Sequence, residues 1–173
     1  RYKERYGLYM YMEEADSKSS QDRILENKKS IRDTEMSTDS LYTFDDNNSE
    51  AAKNQQGENT SVGVFNGKGY RHGEKNIGWF SYDLKIDPTA EKNYLNCTYY
   101  SGDNGRTFDV YVNGQKLKTV TINTAAGTNM FYVDTTEIPA EYLTEGSDTI
   151  TVKFQAIPGK NSYVGGLFGI STS

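Results

Sequence analysis

GWFSYDLKI at 78–86 and GRTFDVYVNGQ at 105–115 carry the pattern from which this fold is read. In both stretches apolar and polar residues alternate, so one face of each strand is buried and the other is wet. Phe80, Tyr82, Leu84 and Ile86 share one face, with Trp79 opposite Phe80 in the pleat, and Phe108, Val110 and Val112 repeat the pattern. Asn113-Gly114 then supplies a two-residue hairpin turn, because both central positions of that turn need positive φ.

Working outward, strands are expected at 77–86, 94–101, 106–113, 116–123, 130–136, 149–156 and 164–171. Ile150, Val152, Phe154 and Ala156 form another inward face. Turn signals separate the strands: Asp87-Pro88, Asp103-Asn104-Gly105, Asn113-Gly114, Gly127, Glu145-Gly146 and Pro158-Gly159. Pro139 to Leu143 reads as one helical turn. Short strands at 61–65 and 69–72 flank Asn66-Gly67. Seven or more short strands at this spacing argue for an all-β, jelly-roll-like antiparallel sandwich.

The N-terminal third differs. Residues 5–12 alternate, with Tyr6, Leu8, Met10 and Met12 on one face and Tyr9 and Tyr11 on the other, so a strand with two substantial faces is expected, covered by a partner sheet. Residues 16–29 read as a short connector helix, capped by Asp16 or Ser17, with a narrow apolar stripe around Ile24 and Leu25. Residues 33–60 are polar and acidic and read as a surface loop, pinned by Leu41, Tyr42 and Phe44. The expected division is a strand and connector at 1–33 and a sandwich domain at 34–173. The chain opens Arg1-Tyr2-Lys3, without an initiator Met, and reads as a fragment of a longer protein.

Composition narrows the function. The 173 residues contain 14 Tyr and 7 Phe against a hydrophobic fraction of 35%, and tyrosine suits half-exposed strands and binding surfaces. A net charge of −5 gives nothing to bind nucleic acid, whose phosphates call for Lys/Arg patches. No apolar run approaches the length of a membrane span. Cys97 is the single cysteine, which excludes an internal disulfide and any multi-cysteine metal site. It alternates with Leu95 and Tyr99 and reads as a buried small hydrophobe; the rival reading, a nucleophile, would need His72, the one histidine.

Several stretches in order resemble a known family. GENTSVGVFNGKGYRHGEKNIGWFSYDLKI, YLNCTYYSGDNGRTFDVYVNGQKL, EIPAEYL, TVKFQA and GGLFGI are similar to the C-terminal β-sandwich of glycoside hydrolase family 127, the β-L-arabinofuranosidase-like proteins. RYGLYMYMEE resembles the strand that closes the preceding sandwich there. The resemblance implies that catalysis belongs to an upstream (α/α)6 barrel of the same polypeptide. There a cysteine nucleophile and a zinc held by Cys and Glu do the chemistry. With one Cys and no matching cluster, no catalytic or zinc-binding residue carries over. The expected role is a non-catalytic accessory domain that supports the catalytic one structurally. The alternative is a carbohydrate-binding module for plant-type, arabinose-containing glycans. The residues themselves set no compartment; the resemblance points to an extracellular or cell-surface bacterial setting, with a cytoplasmic one left open.

A sugar site needs a flat aromatic to cover C–H faces and a few polar groups to orient hydroxyls. Arg71, His72, Trp79, Tyr99, Tyr100, Asp103 and Arg106 supply both around 69–80 and 99–106 and are the candidate constellation. The competing readings are that Tyr99 belongs to the core and that Arg106 only pairs with Asp103. The carboxylate pairs Asp45/Asp46 and Glu13/Glu14 are adjacent in sequence, which does not set two carboxyls across a sugar. Asp103-Asn104-Gly105 offers oxygen ligands but lacks the spaced acids of a calcium loop and reads as a β-turn. No cofactor is expected, a calcium shared with the acidic segment being the one alternative.

Overall fold

The computed structural model describes residues 37–44, 46 and 48–173. The strand expected at 5–12 and the helix expected at 16–29 lie outside the described residues. Thr38–Ser173 form one unit. Its strands are β1 (Asp39–Leu41), β2 (Gln56–Glu58), β3 (Thr60–Phe65), β4 (Lys68–Gly73), β5 (Trp79–Lys85) and β6 (Asn93–Tyr100). There follow β7 (Thr107–Val112), β8 (Gln115–Thr121), β9 (Phe131–Ile138), β10 (Thr149–Ala156), β11 (Val164–Leu167) and β12 (Gly169–Thr172). Short 3-10 turns at Ala51–Lys53, Ser101–Asp103 and Ala140–Tyr142 punctuate them.

The strands build a four-stranded sheet, β1-β12-β6-β9, and a five-stranded sheet, β2-β5-β10-β7-β8. These pack face to face as an antiparallel, jelly-roll-like sandwich. The alternation seen in the sequence is its cause. Phe80, Tyr82, Phe108, Val112, Val152, Phe154 and Ala156 are all fully buried. They meet Leu95, Cys97, Tyr99 and Ile170 from the opposite sheet in one core. Stacking of Phe80 on Phe154 at 5.1 Å and edge contact of Tyr99 with Phe108 at 5.7 Å lock its centre.

A third, three-stranded sheet, β11-β4-β3, lies at one end. Tyr99 at the end of β6 touches Phe108 at the start of β7, so both large sheets present loops there. The β3–β4 hairpin turns at Asn66 (φ 52°) and Gly67 (φ 73°), and β7–β8 turns at Asn113 (φ 49°) and Gly114 (φ 81°). Both are the positive-φ pairs that Asn-Gly requires.

Two expectations need correction. The strand expected at 164–171 is two strands, divided at Phe168. β11 pairs with β4, whereas β12 pairs with β6 and β1, so the chain changes sheets there. The loop expected over 33–60 contains β1 and β2, each of three residues, which pair with β12 and β5. Their hydrogen bonds come from longer neighbours, so they need little apolar signal of their own. Leu41 and Phe44 do pin this segment, both being buried, while Tyr42 is 38% exposed.

Candidate functional site

The candidate residues fall into four environments. Arg71, on β4, serves the scaffold. Its Nε donates to Glu50 Oε2 at 2.6 Å, its Nη2 to Glu50 Oε1 at 3.0 Å, and its Nη1 to Thr60 Oγ1 at 3.0 Å. Glu50 is 5% exposed and also accepts a bond from the Tyr82 hydroxyl. Burial, the largest single influence, works to lower the Arg71 pKa, but the bond and charge of Glu50, joined by Tyr82, together outweigh it and raise the value. With three of its donor nitrogens committed to the protein, Arg71 does not stand free as a ligand-binding cation.

Tyr99 is corrected from the candidate set to its competing reading: it is 1% exposed, in the core, and does not reach the end surface. Cys97 beside it is buried, and burial pushes its thiol up to about 12, which leaves essentially no thiolate at neutral pH. Trp79 faces outward, as its place opposite Phe80 in the pleat implied. It lies on the outer face of the five-stranded sheet, with Lys153 Nζ 4.6 Å from its ring centroid and its Nε1 3.4 Å from Glu58.

His72, Asp103 and Arg106 do come together, around a residue absent from the sequence-based set, Tyr163. The His72 ring lies 6.0 Å from the Tyr163 ring, the Arg106 guanidinium 5.1 Å above it, and Lys75 Nζ 4.9 Å from it. Arg106 pairs with Asp103 at 3.4 Å and donates to the Gly165 carbonyl at 3.2 Å, so the ion pair also ties the 101–106 turn to β11. Burial lowers the His72 pKa, and Arg106 lowers it further, so the imidazole is neutral at pH 7. Burial raises the Asp103 pKa, with Arg106 pulling against it. Ser61 Oγ lies 2.9 Å from His72 Nε2, the pairing a nucleophile and base would use. Asp103 turns to Arg106 rather than orienting the imidazole, so a third triad role is not filled by it.

From His72 a run of ring contacts crosses the end of the sandwich. Tyr70 is 5.6 Å from His72, Phe168 is 5.2 Å from Tyr70, and Phe131 is 4.9 Å from Phe168. Tyr100 follows at 5.1 Å from Phe131, then Phe65 at 4.8 Å from Tyr100. Phe65 is 40% exposed, and Tyr70, Tyr100, Phe131 and Tyr163 are half-buried. Glycines make room for the rings: a Cβ on Gly63 would sit 2.5 Å from the Tyr70 hydroxyl, and one on Gly102 would sit 2.1 Å from the Tyr100 ring. Lys68 Nζ lies 4.3 Å over Phe131, and Tyr100 donates to Asn129 at 3.2 Å.

The sequence reading missed Tyr163, Tyr70 and Phe131. Tyr163 had one usable signal, an aromatic four residues after Gly159 of the Pro158-Gly159 turn. Phe131 and Tyr70 sit on strands whose pairing decides which way they face. Among the described residues, no group of three or more His, Cys, Asp or Glu side chains is placed to hold a metal. No helix among them is long and apolar enough to cross a membrane.

Comparison with known proteins sets the fold in context. A family 35 carbohydrate-binding module from Clostridium thermocellum superposes with a TM-score of 0.52 at 19% identity, over 72% of this chain and 96% of that one. A family 35 module from an environmental isolate gives 0.52 at 16%, over 68% and 84%. An exo-β-1,3-galactanase from Phanerochaete chrysosporium, solved with β-1,3-galactotriose, gives 0.52 at 17%, over 70% of this chain and 28% of the enzyme. At such identities the likeness is one of fold. No curated protein matches the chain. A family model does match, over residues 35–171, and the chain accordingly belongs to the family of unknown function DUF6805.

Proposed function

We propose that this domain is a non-catalytic carbohydrate-binding module whose ligand lies along the aromatic band from Phe65 to Tyr163. The observation that carries the reading is the junction at Tyr163. There a half-buried ring stands beside a neutral imidazole, a guanidinium and a carboxylate, while further rings continue away from it. Aromatic faces cover sugar C–H surfaces, and fixed donors and acceptors orient hydroxyls. The sandwich fold shared with carbohydrate-binding modules supports the same reading.

The ordered motifs similar to glycoside hydrolase family 127 support a finer proposal, in which the module accompanies an upstream (α/α)6 barrel and arabinose-containing glycans are its ligands. A structural role beside such a barrel is the second reading. It is favoured by Val62 and Val64, which are 39% and 59% exposed on β3, the edge strand of the third sheet among the described residues.

Calorimetry against arabinan, xylan and galactan oligosaccharides tests the primary reading. A single module should bind in roughly the micromolar-to-millimolar range, because a few stacking contacts must offset the ordering of a flexible glycan. Tyr163→Ala and Tyr100→Ala should each weaken binding about tenfold with an unchanged urea midpoint, a loss near 1.4 kcal/mol. Binding that is indifferent to both substitutions, or absent across the panel at millimolar protein, would remove the band as the site.

A further inference from the structure

The outer face of the five-stranded sheet carries a groove of about 420 Å³, separate from the aromatic band. Its floor is β10, whose outward residues Thr151, Lys153 and Gln155 run along it. The pairing register builds its walls. Gln155 is flanked by Trp79 on β5 and Asp109 on β7, and Lys153 is flanked by Ser81 and Tyr111. The groove ends near Pro158 on one side and Gly114 on the other. Thr151 to Gln155 alone spans roughly 13 Å of strand, more than one sugar ring.

We propose that this groove is a second glycan-binding site, taking a neutral, extended polysaccharide segment. Charge and chemistry choose the occupant. Asp109 and Lys153 in the lining, with Lys116 beside Asp109 and Asp83 bound to Thr151, sum to no net charge, so the groove favours neither a polyanion nor a polycation. Apart from the Tyr111 ring, its central side chains hydrogen-bond, as donors, acceptors or both, which suits a polyhydroxylated chain better than an apolar peptide. Asp109 is only 7% exposed and is held by a 2.6 Å bond from the Thr119 hydroxyl and by Lys116 at 3.4 Å. A carboxylate accepts about four hydrogen bonds, so lone pairs remain for ligand hydroxyls. Lys153 lies over Trp79, and ligand hydroxyls that recruit its ammonium draw it off the indole. Two sites on different faces of one module would let it hold a polysaccharide by avidity, each site being weak alone.

The full 173-residue chain, run through native gels containing arabinan, xylan, galactan or β-glucan, tests the proposal. At least one polymer should retard it. Tyr111→Ala and Gln155→Ala should each weaken that retardation about tenfold, His72→Ala should weaken it separately through the band, and His72→Ala/Gln155→Ala should weaken it further than either single variant, with urea midpoints confirming that all four variants fold. Trp79 emission should shift on titration with the same polymer. Retardation unchanged in both groove variants overturns the groove, as does a His72→Ala/Gln155→Ala variant no weaker than its single parents, which would indicate one site. No retardation in any gel also overturns it. In that case small oligosaccharides that still bind in a Tyr163-dependent manner would leave the band reading standing, and the two failures are thereby told apart.

Discussion

Replacing Arg71 by Met would expose how the least regular part of this domain is held. Glu50 precedes the 3-10 turn at Ala51–Lys53 and sits beneath β4 and β5, its side chain 7% exposed and that of Arg71 12%. The pair is shielded enough that solvent screening removes little of the interaction. Arg71→Met leaves the Glu50 carboxylate buried, with the Tyr82 hydroxyl as its remaining partner among the described residues. Orphaning one member of such a pair costs about 3–5 kcal/mol. That is a fall of about 10–20 °C in Tm for a domain of this size and roughly 2 M in urea midpoint. The triple variant Glu50→Leu/Arg71→Met/Tyr82→Phe removes charge and hydroxyl together, and should recover to within about 2 kcal/mol of the native protein, since well-packed apolar replacements of buried pairs are often near neutral. Urea denaturation followed by tryptophan emission measures all of these variants. An Arg71→Met variant within 1 kcal/mol of native would refute the reasoning, because it would mean that water or a rearranged side chain already neutralises Glu50.

Phe108→Ala should cost about 3–5 kcal/mol, the usual range for emptying a buried phenylalanine; an unchanged urea midpoint would disprove the inward face of β7. Gly78→Ala would bring a Cβ within 2.2 Å of the Glu74 amide and 2.8 Å of the Asn59 carbonyl, both backbone atoms that cannot swing away. It should destabilise by at least about 1–3 kcal/mol, read by thermal melting. Cys97, buried with its thiol raised to about 12, should resist iodoacetamide at pH 8 in the folded protein and react once unfolded in urea; rapid alkylation of the native chain would revive the nucleophile reading. His72 has a folded pKa below its unfolded value near 6.5, so the unfolded state takes up its proton first. Its contribution is intact above pH 6.5 and is lost as pH falls from there through the folded pKa. Native protein should therefore lose more stability than His72→Gln between pH 7 and 5, in urea titrations at each pH.

Alternation and turn chemistry are local properties, so the residues alone determined the strands, the Asn-Gly hairpins and the inward faces of β5, β7 and β10. The burial of Cys97 was legible for the same reason, as it stands between Leu95 and Tyr99 on one face. Composition determined the net charge of −5, which offers no excess of Lys and Arg for phosphates. Partner choice between strands is long-range, and only the tertiary structure decided it. Three-residue β1 and β2 have no periodicity to read, and their hydrogen bonds come from β12 and β5. Phe168 divides two strands only because β4 captures one side of it and β6 the other. The candidate site was legible to the same depth. His72, near the end of β4, and Asp103 and Arg106, in the turn before β7, do converge, but Arg71 met a glutamate 21 positions away and Tyr99 went into the core. Tyr163 joined from a loop more than fifty residues distant from Arg106. Sequence spacing specifies which face of a strand a side chain takes; which other strand that face meets is settled by the packing of the whole sandwich.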